Sequence, residues 1–434
     1  MKLSFPVRRA PPCSVEEQGR FQSMAPFTET VANAVLKKIR TRQAASEGAG
    51  NDGKSPAPST PLGKVSVREA KPADFDNVCA LNQRLGQGAD SRENWTRLWE
   101  NNPALQEGKR IARIGWVLDN SERIVGFLGN VPLTYEYRGR ELAASATCRF
   151  AVEPVYRSMS HLLVTAFFRQ SDVDLFLNTT ATPAAGKIMA ALKANPIPQQ
   201  DYGTVLFWVL QPSRFAGTVL AKIGIGAGLS AVGGAIGSLI LGAHGAFRRS
   251  GWAHVDSSKT SVLEMNVDEL GEEFESFWVQ EKQGSEKLFA RRTRTTFRWH
   301  FCAPGSKRVV RVLACFSGKI LKGYAVLRLD ETADKGLRRA VIADLMVQGN
   351  NPDVVARLVK GAYQCARNLG ADVLEILGFP KHIRDILLSM KPYTRKYPAC
   401  PFFYKTRDAE LRGKLADESA WYACPYDGDA TLWP

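Results

Sequence analysis

The same order of predicted secondary-structure elements occurs twice along this chain of 434 residues, and that repeat limits the fold more than any other feature. Hydrophobic periodicity predicts strand, helix, helix, three strands, helix, strand, helix and strand over 64–210, and the same order over 262–405. Trp99 and Trp299 occupy matching positions at the end of the second helix in each copy. We therefore expect two copies of one α+β unit of about 200 residues each.

The segments outside the repeat set the predicted domain boundaries. Residues 1–63 are expected to form a basic, largely disordered tail that ends in a stretch rich in Gly, Ser, Pro and Ala. The first domain is predicted over 64–211 and the second over 259–434. Between them, 212–258 is predicted to be a Gly/Ala-rich hydrophobic connector with a helical stripe.

Two segments that lie outside the repeated units have features of membrane-associated helices. Within 27–42, apolar residues recur every four positions and basic residues crowd the far end, which is typical of an amphipathic helix or of a solvated tail. The uncharged stretch 223–243 is long enough to cross a bilayer, but its glycines at four-residue spacing favour a packing or membrane-associated helix. A glycine-rich loop is the third alternative. The first residues lack the apolar core of a secretory signal, so we expect a cytoplasmic protein, with or without peripheral association with the inner membrane.

The composition excludes several classes of protein. Hydrophobic residues make up 44% of the chain, which rules out a wholly disordered or fibrous protein. The net charge of +15 favours anionic partners, such as phosphorylated cofactors, nucleic acid or an acidic membrane surface. The 8 cysteines form no CxxC pair, which is untypical of a disulfide scaffold or a zinc ribbon. No metal site is expected, because no His, Cys or acidic residues have ligand spacing.

The end of the fourth predicted strand of the first copy carries the most informative motif. Over 150–170 the sequence predicts a strand, a turn and a helix, and the run from Val152 to Leu163 resembles the GNAT family of acyl-CoA-dependent N-acyltransferases. In that family, this strand leads into an Arg/Gln-x-x-Gly-x-Gly/Ala turn that opens a helix. Arg157 stands at the first position of the motif, while Ser160 and Leu162 replace the two glycines.

The resemblance implies a cofactor, acetyl-CoA or another acyl-CoA. Its pyrophosphate would be held by backbone N–H groups at a helix N-terminus, where the helix dipole favours negative charge. Asn178, at the end of the fifth strand, would face the pantetheine, although it also fits a turn or a helix cap. The cofactor-binding residues that the resemblance implies are Phe150, Ala151, Val152, Arg157, Ser158, Met159, Ser160 and Asn178.

The matching turn in the second copy fits the phosphate-binding motif less well. Residues 348–353 contain no arginine and one glycine, and Asp353 would repel a phosphate from the helix N-terminus. Asp353 is predicted to be the N-cap of the helix that follows. We therefore expect the first copy to bind the cofactor and the second to be degenerate or to bind substrate.

Catalytic candidates are few. Asp344 lies within an apolar strand, where a carboxylate is costly unless paired, so it is a candidate general base or else the partner of a nearby arginine. Tyr393 is a candidate acid for the departing thiolate, with packing as the alternative. His300, beside Trp299, fits a hydrogen-bonded core residue better than a ligand.

A basic run over 291–299 is predicted to belong to a helix spanning 286–299, with Arg291, Arg294 and Arg298 on one face. Such a face fits solvent exposure, a clamp for an anionic substrate, or nucleic-acid binding. Such a face is usually solvated, and no nucleic-acid partner is expected.

The resemblance implies an acyl-CoA-dependent N- or O-acyltransferase. Tandem arrangements of this kind are similar to bacterial cell-envelope acyltransferases and aminoacyl transferases, which implies a small-molecule or sugar-type acceptor that offers an amine or a hydroxyl group. The alternative is a non-catalytic GNAT-like scaffold that has lost the cofactor. The expected fold is α+β, with two tandem GNAT-like mixed-sheet domains.

Overall fold

The computed structural model describes residues 64–88, 90–106, 113–222, 261–330, 336–397 and 399–433. The predicted basic tail over 1–63 and the apolar stretch over 223–243 therefore lie outside the described residues. Within the described ranges, no helix is both long enough and apolar enough to cross a membrane.

The elements up to residue 222 follow the predicted alternation of strands and helices. The strands are β1 Ser66–Glu69, β2 Gly115–Asp119, β3 Ile124–Tyr137, β4 Arg140–Val152, β5 Leu175–Asn178, β6 Asn195–Pro196 and β7 Thr204–Val209. The helices are α1 Phe75–Arg84, α2 Arg92–Trp99, α3 Pro103–Gln106, α4 Ser160–Phe168, α5 Pro183–Ala191 and α6 Pro212–Lys222.

The elements from residue 261 onward are similar in order. The strands are β8 Ser261–Met265, β9 Leu288–Ala290, β10 Val309–Ser317, β11 Ile320–Asp330, β12 Arg339–Val347, β13 Val373–Ile376, β14 Tyr393–Lys396 and β15 Phe403–Lys405. The helices are α7 Glu272–Lys282, α8 Arg294–Phe301, α9 Pro352–Asn368, α10 Lys381–Ser389 and α11 Ala409–Leu415.

The described strands form two mixed sheets. The first sheet has the order β1-β2-β3-β4-β5-β15-β6, with β9 also paired to β3, and the second has the order β14-β7-β13-β12-β11-β10-β8. In each sheet a run of antiparallel strands ends in one parallel pair, β4 with β5 and β12 with β13. The expected α+β fold with two mixed sheets is therefore confirmed.

The two halves of the chain exchange their last strands. β7 comes from the first half but pairs with β13 and β14 of the second sheet. β15 comes from the second half but pairs with β5 and β6 of the first sheet. Each sheet therefore contains strands from both predicted domains, a feature that the order of elements along the chain does not reveal.

Two local predictions in the second half are wrong. The helix predicted over 286–299 is split into strand β9 and helix α8, because the apolar run at 288–290 is fully buried beside β3. The N-cap of α9 is Asn351, whose side chain accepts from the amides of Asp353 and Val354, so Asp353 lies in the first turn and is not the cap.

A C-terminal segment, residues 421–433, packs between the two sheets. Trp421, Tyr426 and Leu432 are at most 1% exposed and belong to the same apolar cluster as the inner faces of both sheets. The Tyr135 hydroxyl donates to the Asp427 carbonyl oxygen, 2.6 Å away. Because burial of large aromatic side chains dominates core energetics, this segment is a structural part of both halves.

Candidate functional site

β4 and β5 separate at one end of the first sheet. They pair only over residues 144–146 and 175–177, whereas β4 continues to Val152. Within the described part of the chain, the later residues of β4 therefore have a strand partner, β3, on one side only. Diverging parallel strands leave an opening in which a ligand can meet backbone groups.

An extra residue on β4 lies where the two strands diverge. Gly129 pairs with Cys148 and Phe127 pairs with Ala151, so Arg149 and Phe150 together lie opposite the single residue Leu128. Arg149 has a φ of 49°, a left-handed conformation that is strained for an arginine. Such bulges redirect side chains and often occur beside active sites. Sequence periodicity gave no signal for this bulge.

The segment after β4 contains the motif that resembles the acyl-CoA site. Residues Pro154–Met159 form a 3₁₀-helix that runs directly into α4. Arg157 and Ser158 are exposed, and Arg157 has no ion-pair partner among the described residues. The buried Ser160 hydroxyl donates to the Arg157 carbonyl oxygen at 2.6 Å, so it does not point a donor towards a ligand. The structure thus has a short 3₁₀-helix where a turn of bare amides was expected.

An apolar surface lies beside this helix start. Phe150, Val152 and Met159 pack as partly buried residues against a cluster on the outer face of the first sheet. That cluster includes Phe176 of β5 and Phe403 of the exchanged strand β15. The structure thus brings these three sequence-predicted residues together. Ala151 faces the other way, into the core between the sheets.

Asn178 ends β5 at the edge of the same opening. Its side chain is 6% exposed, and its Oδ1 atom accepts from the Thr180 amide at 3.3 Å. Asn178 also pairs with Phe403 across the sheet. The carboxamide therefore stabilises the turn into α5, which was one of the two roles expected for it.

The matching opening in the second sheet is filled by the protein itself. β12 and β13 pair only over residues 339–342 and 373–376, and the C-terminal segment lies beyond that point. The Tyr426 amide donates to the Ala343 carbonyl oxygen at 3.1 Å, and the Tyr422 hydroxyl donates to the Leu345 carbonyl oxygen. The backbone groups that a cofactor would use are therefore already bonded.

Asp344 lies at the centre of that filled opening. Neither Asp344 nor Arg292 is exposed, and they form a two-point ion pair with N–O distances of 3.0 and 3.1 Å. The Tyr324 hydroxyl and the Cys424 thiol donate to the same carboxylate at 2.8 and 3.2 Å. Burial raises the pKa of the neighbouring Asp427 to about 6, although Arg292 opposes that shift. This geometry matches the paired-arginine role expected for Asp344.

Tyr393 is remote from Asp344. It lies on β14, the edge strand of the second sheet, and its ring stacks on Phe207 with centroids 5.4 Å apart. β7 and β13 separate β14 from β12, which corresponds to about 14 Å at the usual strand spacing. The structure therefore does not bring Asp344 and Tyr393 together around one substrate.

The basic run at the start of α8 is neutralised within the chain. The side chain of Arg291 pairs with Glu136 and Glu141, that of Arg294 with Glu272 at 2.5 Å, and that of Arg298 with Asp268 at 2.7 Å. Because these arginines have carboxylate partners, the run offers little unpaired charge to an external anion.

A cavity of about 350 Å³ lies between the two halves. Thr134 of β3, Glu275 of α7 and His300 of α8 are among its lining residues. His300 is 4% exposed, and its Nδ1 lies 2.7 Å from the Thr431 hydroxyl. Burial, with the nearby charges of Arg97 and Arg292, lowers the pKa of His300 well below its usual value, so it is neutral at pH 7.

Comparison with solved structures identifies the fold. The chain superposes on a GCN5-related N-acetyltransferase from Anabaena variabilis with a TM-score of 0.50 and 10% identity, over 80% of this chain and 73% of that chain. A GCN5-related N-acetyltransferase from Kribbella flavida gives a TM-score of 0.48 and 11% identity, over 80% and 72%. A Saccharomyces cerevisiae N-myristoyltransferase with bound myristoyl-CoA gives 0.46 and 13%, over 81% of each chain.

No family profile and no curated protein matches this sequence. At about 10% identity the structural likeness concerns architecture alone, and the architecture is that of the GNAT fold. The expectation of a GNAT-like fold is therefore confirmed.

Proposed function

We propose that the protein is an acyl-CoA-dependent acyltransferase that binds its cofactor in the opening between β4 and β5. The single observation that supports this most strongly is the divergence of β4 from β5 directly in front of the α4 N-terminus. Backbone of residues 150–152 would contact the pantetheine, and Arg157 to Ser160 would meet the pyrophosphate. The partial positive charge of the helix N-terminus and the unpaired Arg157 both favour a phosphate there.

The asymmetry between the two sheets supports assignment of the cofactor to the first one. The C-terminal segment is bonded to the backbone of β12 in the second opening. At the first sheet, the same segment contacts the turn that follows β5, where the Thr179 and Thr180 hydroxyls donate to Asp429 at 3.1 and 2.9 Å. The outer face, with α4 and its exposed residues, is the one we assign to coenzyme A.

The reaction would transfer an acyl group from the thioester sulfur to an amine or hydroxyl group of the acceptor. Attack of the amine nitrogen or hydroxyl oxygen on the thioester carbonyl carbon forms the new amide or ester bond and breaks the carbon–sulfur bond. Coenzyme A leaves as its thiolate and takes up the proton that the nucleophile loses. We propose a small or envelope-related acceptor of sugar type that approaches from the inner face, between the two halves. Asp344 and Tyr393 stay sequence predictions for the acid–base roles, and their separation argues that they do not act as a pair.

We also propose peripheral association with a membrane, supported only by the sequence of 27–42 and 223–243. The test is flotation of the full chain with vesicles that contain anionic phosphatidylglycerol. A protein that stays at the bottom of the gradient with these vesicles contradicts the proposal.

The test of cofactor binding is calorimetric titration of coenzyme A into two variants at one exposed position. Ser158→Asp adds a carboxylate at the start of the helix, where negative charge does not destabilise it, but the charge should repel a pyrophosphate. Ser158→Asn is the neutral control of similar shape. We expect Ser158→Asp to weaken binding at least tenfold with an unchanged melting temperature, and Ser158→Asn to bind like the parent.

The competing function is that of a non-catalytic scaffold, favoured by the bonded Ser160 hydroxyl and by Leu162 at the second glycine position. A folded parent protein that gives no heat with millimolar coenzyme A supports the scaffold and contradicts the transferase. Release of free thiol from acetyl-CoA on addition of an acceptor excludes the scaffold.

A further inference from the structure

Arg149 is a largely buried arginine without a hydrogen bond. Its side chain is 23% exposed, yet the guanidinium donates to no acceptor among the described residues, and its Nε atom is fully buried without a partner. Its ion pair is a long one, to Asp90 Oδ2 at 3.8 Å, which is beyond hydrogen-bond distance, while the other oxygen of Asp90, Oδ1, accepts from Ser91 and Asn94. Buried N–H donors are costly unless a partner satisfies them, so Nε marks a poorly satisfied guanidinium, and a ligand could reach that group through the 23% of the side chain that is exposed.

The position of Arg149 indicates whether the cofactor or the acceptor would contact its guanidinium. Arg149 and Phe150 form the bulge where β4 diverges from β5, but they point to opposite faces of the sheet. Phe150 packs on the side of α4, while Arg149 lies on the inner side, with its guanidinium 4.1 Å from the ring centre of Trp433 in the C-terminal segment. A group on that side faces the acceptor and not the nucleotide end of the cofactor.

The backbone at Arg149 adds an independent argument. An arginine at a φ of 49° costs about 1–2 kcal/mol, which glycine or asparagine would avoid. Six other described non-glycine residues also have a positive φ, so the strain supports a role for the side chain only together with its poorly satisfied guanidinium.

We propose that Arg149 binds an oxyanion of the acceptor, a carboxylate or a phosphate, beside the opening between β4 and β5. This inference rests on the proposed function, because it identifies the inner side of the opening as the acceptor side. The planar guanidinium matches two oxygens of such a group, and stacking on Trp433 fixes its plane.

The test is calorimetric titration of two pairs of probes into the full chain saturated with coenzyme A. Each pair consists of an anion and its neutral counterpart: glycine with glycinamide, and glucosamine 6-phosphate with glucosamine. We expect one anion to bind at least tenfold more tightly than its neutral counterpart, and the pair that shows it separates carboxylate from phosphate. If neither anion binds more tightly than its counterpart, the proposal is overturned.

The variants are Arg149→Asn and a matched control, Arg138→Asn. Arg138 is also an arginine with positive φ, 50°, but it lies in the hairpin turn between β3 and β4 and pairs with Glu286. Arg149→Asn should abolish the preference for the anion while the melting temperature is equal or higher and coenzyme A still binds. Arg138→Asn should keep the preference.

Two results would overturn the role of Arg149 while leaving coenzyme A binding intact. A lower melting temperature of Arg149→Asn together with an unchanged preference for the anion means that Arg149 only packs against Trp433. If transfer is slowed through kcat while the affinity for the anion is unchanged, Arg149 acts on the reacting thioester and not on the acceptor. If the parent protein itself does not bind coenzyme A, that result contradicts the proposed function instead.

Discussion

Arg292 and Asp344 form an ion pair with no solvent exposure, and it lies where the second sheet would otherwise open for a cofactor. The pair joins the loop between β9 and α8 to β12, and Cys424 and Asp427 of the C-terminal segment surround it. Two opposite buried charges compensate each other's lost hydration. Removal of one therefore leaves the other as an unpaired buried charge, which destabilises the fold.

Asp344→Asn should therefore destabilise the fold. It leaves the Arg292 guanidinium buried without its main partner, and we expect a loss of about 3–5 kcal/mol in the free energy of unfolding. Urea denaturation measures it. Asp268→Asn, which breaks the exposed pair with Arg298, should cost less than about 1 kcal/mol. A stable Asp344→Asn variant that has lost acyl transfer would instead identify Asp344 as a catalytic base.

The strand exchange predicts that neither half folds by itself. A fragment of residues 64–222 lacks β15, which pairs with β5, and a fragment of residues 261–434 lacks β7, which pairs with β13. Expressed separately, each should expose an unpaired strand edge and aggregate, whereas co-expression should give a soluble one-to-one complex. Size-exclusion chromatography with light scattering checks this. A monomeric, cooperatively unfolding 64–222 fragment would contradict it.

The sequence predicts the elements better than their partners. Periodicity reports which face of a segment is buried, so β3 and β12 were found, and the shared landmarks Trp99 and Trp299 indicated the repeated order. It does not report which sheet buries that face. β7 and β15 are both short apolar runs that could be buried in either sheet. The hydrophobic pattern therefore cannot predict the strand exchange.

The helix predicted over 286–299 shows a different limit. Arg291, Arg294 and Arg298 were expected to share one face of that helix, but residues 288–290 form a strand beside β3. Arg292, which was not on that face, is fully buried against Asp344. These are long-range contacts, which override local propensity.

The candidate site was predicted in part. The motif at 157–160 correctly indicated a helix start after β4, because that signal is local. The bulge at Arg149 was missed, because a single inserted residue becomes visible only through the register of β4 against β3. The filling of the second opening depends on residues 421–428, more than 70 positions after β12, and no spacing rule connects the two.

His382 should make stability depend on pH. Burial and then the charge of Lys287 lower its pKa in the folded protein from 6.5 to about 4, while Asp385 opposes the shift, and its Nε2 atom is buried without a partner. Between pH 6.5 and 4 the unfolded chain binds the proton more tightly than the folded one, so the contribution is complete above pH 6.5 and is lost as the pH falls towards 4.

Because His382 is partly exposed, we expect this loss to be about 1–2 kcal/mol in the free energy of unfolding. His382→Gln should make the pH profile less steep between 6.5 and 4, as measured by urea denaturation at several pH values, while His300, whose pKa burial also lowers, keeps part of the slope. Parallel profiles for the parent and His382→Gln would show that His382 does not titrate in this way.

Two glycines near the C-terminus should respond to alanine in opposite directions. Gly428 lies against Thr179, where an added Cβ would overlap the threonine side chain at the end of β5. Because the C-terminal segment must shift to make room, Gly428→Ala should cost about 1–3 kcal/mol. Gly413 lies in α11 with nothing within 4 Å of an added Cβ, so Gly413→Ala should stabilise by about 0.5–1 kcal/mol. Thermal unfolding followed by circular dichroism compares them, and a Gly428→Ala variant at least as stable as the parent would mean that residues 421–433 are not packed as described.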